Sequence, residues 1–335
     1  MIPIGWRSQT LDVAMILMLL ASIGYLRRYP VARPPIGRFT GGDVAVMSVM
    51  LIVLPLAYAR LPAVAVAAIF GTVFYFAAQG ALAPVIGGRA ATAVAAIPIV
   101  GEIAAKLAGD IVVMLDINDA LLVVAVVGVV NLWAQTGMRA ANVAALAVVL
   151  TGYDIVTTWF GSFTSDFINK MLSEPFLPLL TVVDVRTPGG FGLGDCLVMT
   201  MWPVILLKAY GKRAAWAGGI LCMLVAIGIE ETFKNQWVAW AAVIPTMAIL
   251  GPLIAAQYVI LRLRIGKERS LAQWQAGVPA GDDPDSAERA HVRATVQATL
   301  AASAGDEDGN AIPVVWRGDT ASIAAVTRAS TGASA

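Results

Sequence analysis

Charged residues are scarce in this sequence. Asp, Glu, Lys and Arg fill 13% of its 335 positions against 59% hydrophobic residues. That is too apolar for one soluble core and points to a bundle of membrane spans with the lipid bilayer as main solvent. The basic residues are scattered between apolar runs at a formal net charge of +1; phosphate binding needs a clustered basic face, so a nucleic-acid partner is excluded. Only two cysteines occur, Cys196 and Cys222, both inside apolar stretches, where free packing thiols are the rule and no disulfide framework is expected. The single histidine, His291, lies in a polar region without a second histidine or a cysteine nearby, which leaves zinc motifs without ligands. No metal and no cofactor are expected.

What the chain has instead is long apolar runs. A helix needs about 17 to 25 residues to cross the hydrocarbon core, and nine windows near that length can be drawn: 11–26, 43–59, 61–79, 90–107, 120–135, 140–161, 191–210, 214–230 and 237–261. The fourth is the weakest, Ala-rich and interrupted by Pro98, Glu102 and Lys106. The pattern predicts an all-α membrane protein, a nine-span transmembrane helix bundle. The first run is followed by Arg27, Arg28, Arg33 and Arg38 and lacks a small-residue cleavage site, which fits a retained anchor better than a signal peptide.

With nine spans the loops alternate in charge. One side collects thirteen basic residues, among them Arg89, Arg139, Lys212, Arg213 and Lys267, and the other six, among them Arg60, Lys106 and Lys170. Because Lys and Arg concentrate on the cytoplasmic side, the amino terminus is expected outside and the carboxyl terminus in the cytoplasm, with a prokaryotic cell membrane as host. From 266 to 335 the composition shifts to Ala, Asp, Ser, Thr and Gly, which bury too little apolar surface to offset the entropy of ordering. The chain thus divides into a membrane domain, 1–265, and a mostly disordered cytoplasmic tail, 266–335, within which 287–302 has helical composition. No internal repeat is visible.

Inside the apolar runs two acids stand out: Asp154 in AVVLTGYDIVTTWF and Asp195 in GGFGLGDCLVMTMW. An ionisable residue near the bilayer centre costs roughly 2.5 to 3.5 kcal/mol on insertion scales, so each demands a local reason. At 1.5 Å per residue, Asp154 lies about 3 Å and Asp195 about 9 Å to the outer side of the midplane, close enough in depth for the carboxyls to meet. Two adjacent carboxyls cannot both ionise cheaply and share one proton. Such a pair hydrolyses amides: one partner takes a proton from a bound water, and the other stabilises the oxyanion and protonates the leaving nitrogen. Gly192 and Gly194, on either side of Leu193, remove side chains where a substrate backbone would approach; helix packing through small residues explains them equally well.

Further polar residues, Glu102, Lys106, Asp110, Asp116 and Asp119, admit an ion path, but Glu102 and Lys106 at i,i+4 read more simply as an interfacial pair. The β-branched run 179–185, LLTVVDV, suits either a strand that pairs with an unwound substrate or an apolar interfacial loop.

Tyr153-Asp154 resembles the YD motif in the sixth span of presenilins and signal peptide peptidases, and Gly192-Leu193-Gly194-Asp195 resembles their GxGD motif in the seventh. Pro245-Thr246-Met247 stands where the family has Pro-Ala-Leu in the ninth, departing at two positions, with Pro252 following as in signal peptide peptidases. The resemblance covers 140–261 and implies a presenilin-like fold and an intramembrane aspartyl protease. It makes Asp154 and Asp195 catalytic, with Tyr153, Gly192, Leu193, Gly194, Pro245, Thr246 and Met247 lining the site. The expected orientation is similar to that of signal peptide peptidases, which implies type II single-span proteins or remnant signal peptides as substrates. The lysine pair that usually follows the GxGD motif of prepilin peptidases is absent after Asp195. Two other readings stay open: a proton- or cation-coupled transporter using the two aspartates, and a catalytically silent relative that binds membrane helices.

Overall fold

The computed structural model describes residues 4–29, 40–158, 163–182, 189–234 and 244–280, and about 84% of them are helical. The helices are α1 Ile4–Arg28, α2 Gly41–Arg60, α3 Ala63–Ile86, α4 Gly88–Ala108, α5 Ile111–Gln135, α6 Ala140–Thr158, α7 Phe163–Met171, α8 Leu193–Tyr210, α9 Lys212–Lys234, α10 Thr246–Ile265 and α11 Leu271–Gln275. Strands β1 Leu179–Val182 and β2 Gly189–Gly192 form one antiparallel hairpin between α7 and α8. Over their described residues the nine apolar windows each overlap a long helix, α1 to α6 and α8 to α10. Among the described residues eight of these, α2 to α6 and α8 to α10, are long and apolar enough to cross a membrane. The weak fourth window is α4, a continuous helix despite Pro98.

Many outward side chains are large and apolar, among them Leu107, Leu263, Val64, Ile97 and Trp216. In water such a surface would aggregate; against acyl chains it is the normal solvent-facing composition. The centre of the bundle is α8, of which 78% is buried against 6% for α2. It packs against α1, α5, α6, α9 and α10, and every residue from Val198 to Tyr210 is buried.

Polar groups on α8 tie it to its neighbours. Trp202 Nε1 donates to Gln257 Oε1 of α10 at 2.7 Å, and the buried ammonium of Lys208 donates to the carbonyls of Ala134, in the last turn of α5, and of Met138, in the turn that follows. Ala134 O is an orphan carbonyl of a helix end, which a cation satisfies well.

Local chemistry sets several boundaries. The Asp110 side chain accepts from Val113 N at 3.1 Å and caps α5, so that helix begins well before the expected 120 and takes Asp116, Asn118 and Asp119 into its first turns. The α6 and α10 helices touch at Gly251, where an added Cβ would sit 2.6 Å from the Ala147 carbonyl oxygen and 1.9 Å from Thr151 Oγ1. Only glycine permits this approach.

Beyond α10 the chain turns at Gly266 and folds back. Glu268 accepts from Ala140 N at 2.6 Å, Arg269 N donates to Ala209 O at 3.2 Å, and the Arg269 guanidinium donates to Leu207 O and Val278 O. The expected tail boundary at 266 therefore precedes an ordered stretch, 266–280, packed on the end of α8. Residues 281–335, with His291 and the 287–302 stretch, lie outside the described residues.

Candidate active site

Asp195 owes its place to the strand-to-helix junction. β1 and β2 pair in the register Leu179↔Gly192, Leu180↔Phe191, Thr181↔Gly190 and Val182↔Gly189, and Leu193 N extends the ladder to Pro178 O at 3.0 Å. Helix α8 starts at the next step with Gly192 as its N-cap. Asp195 sits at the third helical position, where acidic residues favour the positive end of the dipole, and its Oδ2 accepts from Gly192 N at 3.3 Å. At Gly190 a Cβ would lie 2.3 Å from the Leu180 carbonyl oxygen, so a side chain there would force the strands apart. At Gly194 a Cβ would meet nothing within 4 Å. The space beside Asp195 is open on that side.

Asp154 lies in the last two turns of α6, half-buried. Its Oδ1 accepts from the Thr158 hydroxyl at 3.2 Å and its Oδ2 from Met247 N at 2.8 Å, and Ala248 N, which donates to Pro245 O at 3.2 Å, lies close to the same carboxylate. These two N–H groups belong to the first turn of α10, whose N-cap is Pro245. The next residue on that helix, Thr246, sets its side chain near the Asp195 carboxylate, and the two carboxylates lie within electrostatic reach of each other. The start of α10 therefore holds one acid through its backbone and sets a hydroxyl beside the other. Thr151 Oγ1 bonds Met247 O and Ala147 O, each at 2.9 Å, and fastens that helix start to α6.

The three motifs separated in sequence thus meet at one place. Pro245, Thr246 and Met247 are buried there, Leu193 packs on the core, and Tyr153 is half-buried beside Asp154 on α6. One expected bound changes: the ninth window, drawn as a single run through Pro245, is not helical at that residue. Ile244 and Pro245 are non-helical and α10 begins at Thr246, because proline is pre-organised for a helix start and has no N–H to leave unpaired. The remainder of the expected ninth window, 237–243, lies outside the described residues.

The interfacial Glu102–Lys106 pair is also corrected. Glu102 is 1% exposed and accepts from the backbone N–H of Phe176, while Lys106 pairs with Glu174 at 3.1 Å and donates to Ser173 O. Asp119 is likewise turned inward, onto Thr181 of β1. Long-range partners offered by the segment between α7 and β1 outcompete the local i,i+4 geometry.

Residues that sequence reading did not single out are Thr158, Thr151, Ala248, Asn118 and Thr181. Thr158, four residues after Asp154, and Thr151, three before it, share a helix face with the acid, a signal that helical spacing offers. The 179–185 run is a strand over its described part, Leu179–Val182, and its partner is β2; Val183 lies outside the described residues. Cys196 and Cys222 are free and buried. Among the described residues no group of three or more His, Cys, Asp or Glu is placed to hold a metal ion. Compared with protein-family models, with characterised proteins and with solved structures, the chain finds no match.

Proposed function

We propose that this chain is an intramembrane aspartyl protease, a nine-span bundle of presenilin-like fold that hydrolyses peptide bonds within membrane segments. The observation that carries the reading is the convergence of Asp154 and Asp195 on the first turn of α10, the one held by the Met247 N–H and the other beside the Thr246 side chain. A pair of structural acids would be expected to cap separate helix ends. Here two carboxylates are brought together at a cost that burial alone does not repay.

In the proposed reaction the dyad holds a water. The ionised member takes its proton as the oxygen attacks the scissile carbonyl; the protonated member stabilises the developing oxyanion and then delivers its proton to the leaving nitrogen. The products are a free carboxyl and a free amine. The pair titrates as a unit, with one proton shared between its members.

The geometry also supports a way of presenting the substrate. A peptide bond in a helix is shielded by its own hydrogen bonds and must unwind, and the unwound strand then needs partners inside the membrane. The hairpin supplies them: β1 is occupied on both sides, and β2 turns the N–H and C=O of Gly190 outward, two residues before the Gly192 that bonds Asp195. The open space at Gly194 gives the backbone room.

The departures at Thr246 and Met247 are compatible with activity. Met247 acts on Asp154 through its N–H, which any residue but proline supplies, and Thr246 adds a hydroxyl toward Asp195 where alanine has none. With the amino terminus outside, in a prokaryotic cell membrane, the site favours type II single-span proteins or remnant signal peptides. The test is purification in detergent with a single-span substrate, with products identified by mass. The unaltered protein is expected to cut within the span while Asp154→Asn and Asp195→Asn do not, and equal cleavage by all three would sink the assignment.

A further inference from the structure

The hairpin that carries Gly192 and leads into Asp195 is gripped from its far side. In an antiparallel pair, alternate residues bond inward and outward. The bond from Leu193 N to Pro178 O and the pairing of Leu180 with Phe191 assign Pro178 and Leu180 to β2, so Leu179 and Thr181 turn their backbone groups outward. Those groups are taken. Asn118 Nδ2 donates to Leu179 O at 3.2 Å; Thr181 N donates to Asp119 Oδ1 at 3.0 Å, and the Thr181 hydroxyl donates to the same carboxylate at 3.3 Å. The two side chains are neighbours on α5, and Asn118 is 0% exposed. One donor and one acceptor meet one acceptor and one donor, two residues apart on a strand edge. This is what a third strand would offer.

We infer that Asn118 and Asp119 are positioning residues that cap the outer edge of β1, fix the register of the hairpin against α5, and thereby set which peptide bond of a substrate reaches Asp195. The inference rests on the protease reading above. It follows from where the hairpin is tied: β2 is bonded to β1, β1 to α5, and Gly192 to Asp195, so the strand that pairs with β2 is registered against α5 through two ladders. Strand pairing slips in steps of two residues, since a slip of one would turn every side chain to the other face. A loosened cap therefore moves the cut by two residues. Glu102, on Phe176 N, and Lys106, on Ser173 O and Glu174, hold the preceding segment in the same way.

The experiment compares the full-length protein with Asp119→Asn, Asp119→Leu and Asn118→Leu, reading kcat, KM, the masses of the products and amide hydrogen exchange at Thr181. Asp119→Asn keeps an acceptor for Thr181 N and is expected to cut where the unaltered protein cuts. Asp119→Leu and Asn118→Leu are expected to raise KM about tenfold, leave kcat within about twofold, and add products two residues longer and shorter. Asp119→Leu also speeds exchange at Thr181 at least tenfold. Unchanged KM and cut positions in both leucine variants would overturn the inference, as would an Asp119→Asn variant that behaves like Asp119→Leu. Should Asp119→Leu fail to fold, Asn118→Leu carries the same test through Leu179 O. Absence of cleavage by the unaltered protein would count against the protease reading, and the exchange rate at Thr181 in Asp119→Leu would still decide whether the cap exists.

Discussion

Gly251→Ala tests how closely the site depends on the contact between α6 and α10. The added Cβ would lie 1.9 Å from Thr151 Oγ1 and 2.6 Å from Ala147 O. The threonine can rotate away only by giving up its bonds to Ala147 O and Met247 O, and the carbonyl cannot rotate at all. A relaxed carbon-to-oxygen contact is about 3.3 Å, so α10 must retreat by about 0.7 Å. Displaced rigidly by that amount, the 2.8 Å bond from Met247 N to Asp154 Oδ2 stretches to about 3.5 Å, beyond a useful hydrogen bond. Overpacking costs about 1 to 3 kcal/mol of stability, and a lost bond to a charged group about 1.5 to 3 kcal/mol, which on activity is about 10- to 150-fold.

The assay is initial cleavage rate in detergent beside a thermal melt. Gly228→Ala on α9 is the control, since a Cβ there meets nothing within 4 Å and alanine is the better helix former. Full activity and an unchanged melt for Gly251→Ala would refute the reasoning.

Thr158→Val deletes the hydroxyl that donates to Asp154 Oδ1 without changing size; kcat is expected to fall about tenfold with KM unchanged, and Thr158→Ser to restore it, both read by steady-state kinetics. Met247→Leu keeps the N–H on Asp154 and roughly the buried volume, so cleavage is expected within about threefold of the unaltered protein and stability within about 1.5 kcal/mol. Arg269→Met leaves the carbonyls of Leu207 and Val278 without their donor, and a loss of about 1 to 3 kcal/mol is expected in a denaturant melt. Burial holds the Arg269 guanidinium below its ordinary range, yet an arginine stays charged at accessible pH. That contribution is therefore expected to be flat with pH.

Much of the fold is legible in the hydropathy of the chain, because a membrane helix must satisfy its own backbone and so announces itself as a run. Asp154 and Asp195 are legible for the complementary reason that charge inside such a run is rare. Hydropathy is blind to what happens within an apolar run: Ile244 and Pro245 are as apolar outside the helix as Thr246 and Met247 are inside it, so the start of α10, on which the site depends, leaves no mark in composition. The same holds for the start of α5, set by the Asp110 cap. Glu102 and Lys106 obey a local spacing rule, and their partners come from a distant segment whose position exists only once the bundle has formed. The Leu179–Val182 run, which ends in the β-branched Thr181 and Val182, signals a strand, but its inner partner is glycine-rich and its outer partner is a pair of helix side chains. Neither carries a strand signature.

The central claim is that Asp154 and Asp195 act as one site. The direct measurement is a double-mutant cycle on cleavage rate: the unaltered protein, Asp154→Asn, Asp195→Asn and the double variant, on one single-span substrate in detergent. Residues that act as a unit lose their effect together, so each single variant is expected to fall by about 10² to 10⁴-fold and the double variant no further than the worse single. A single variant that cleaves at the unaltered rate, or losses that multiply in the double variant, would contradict the account.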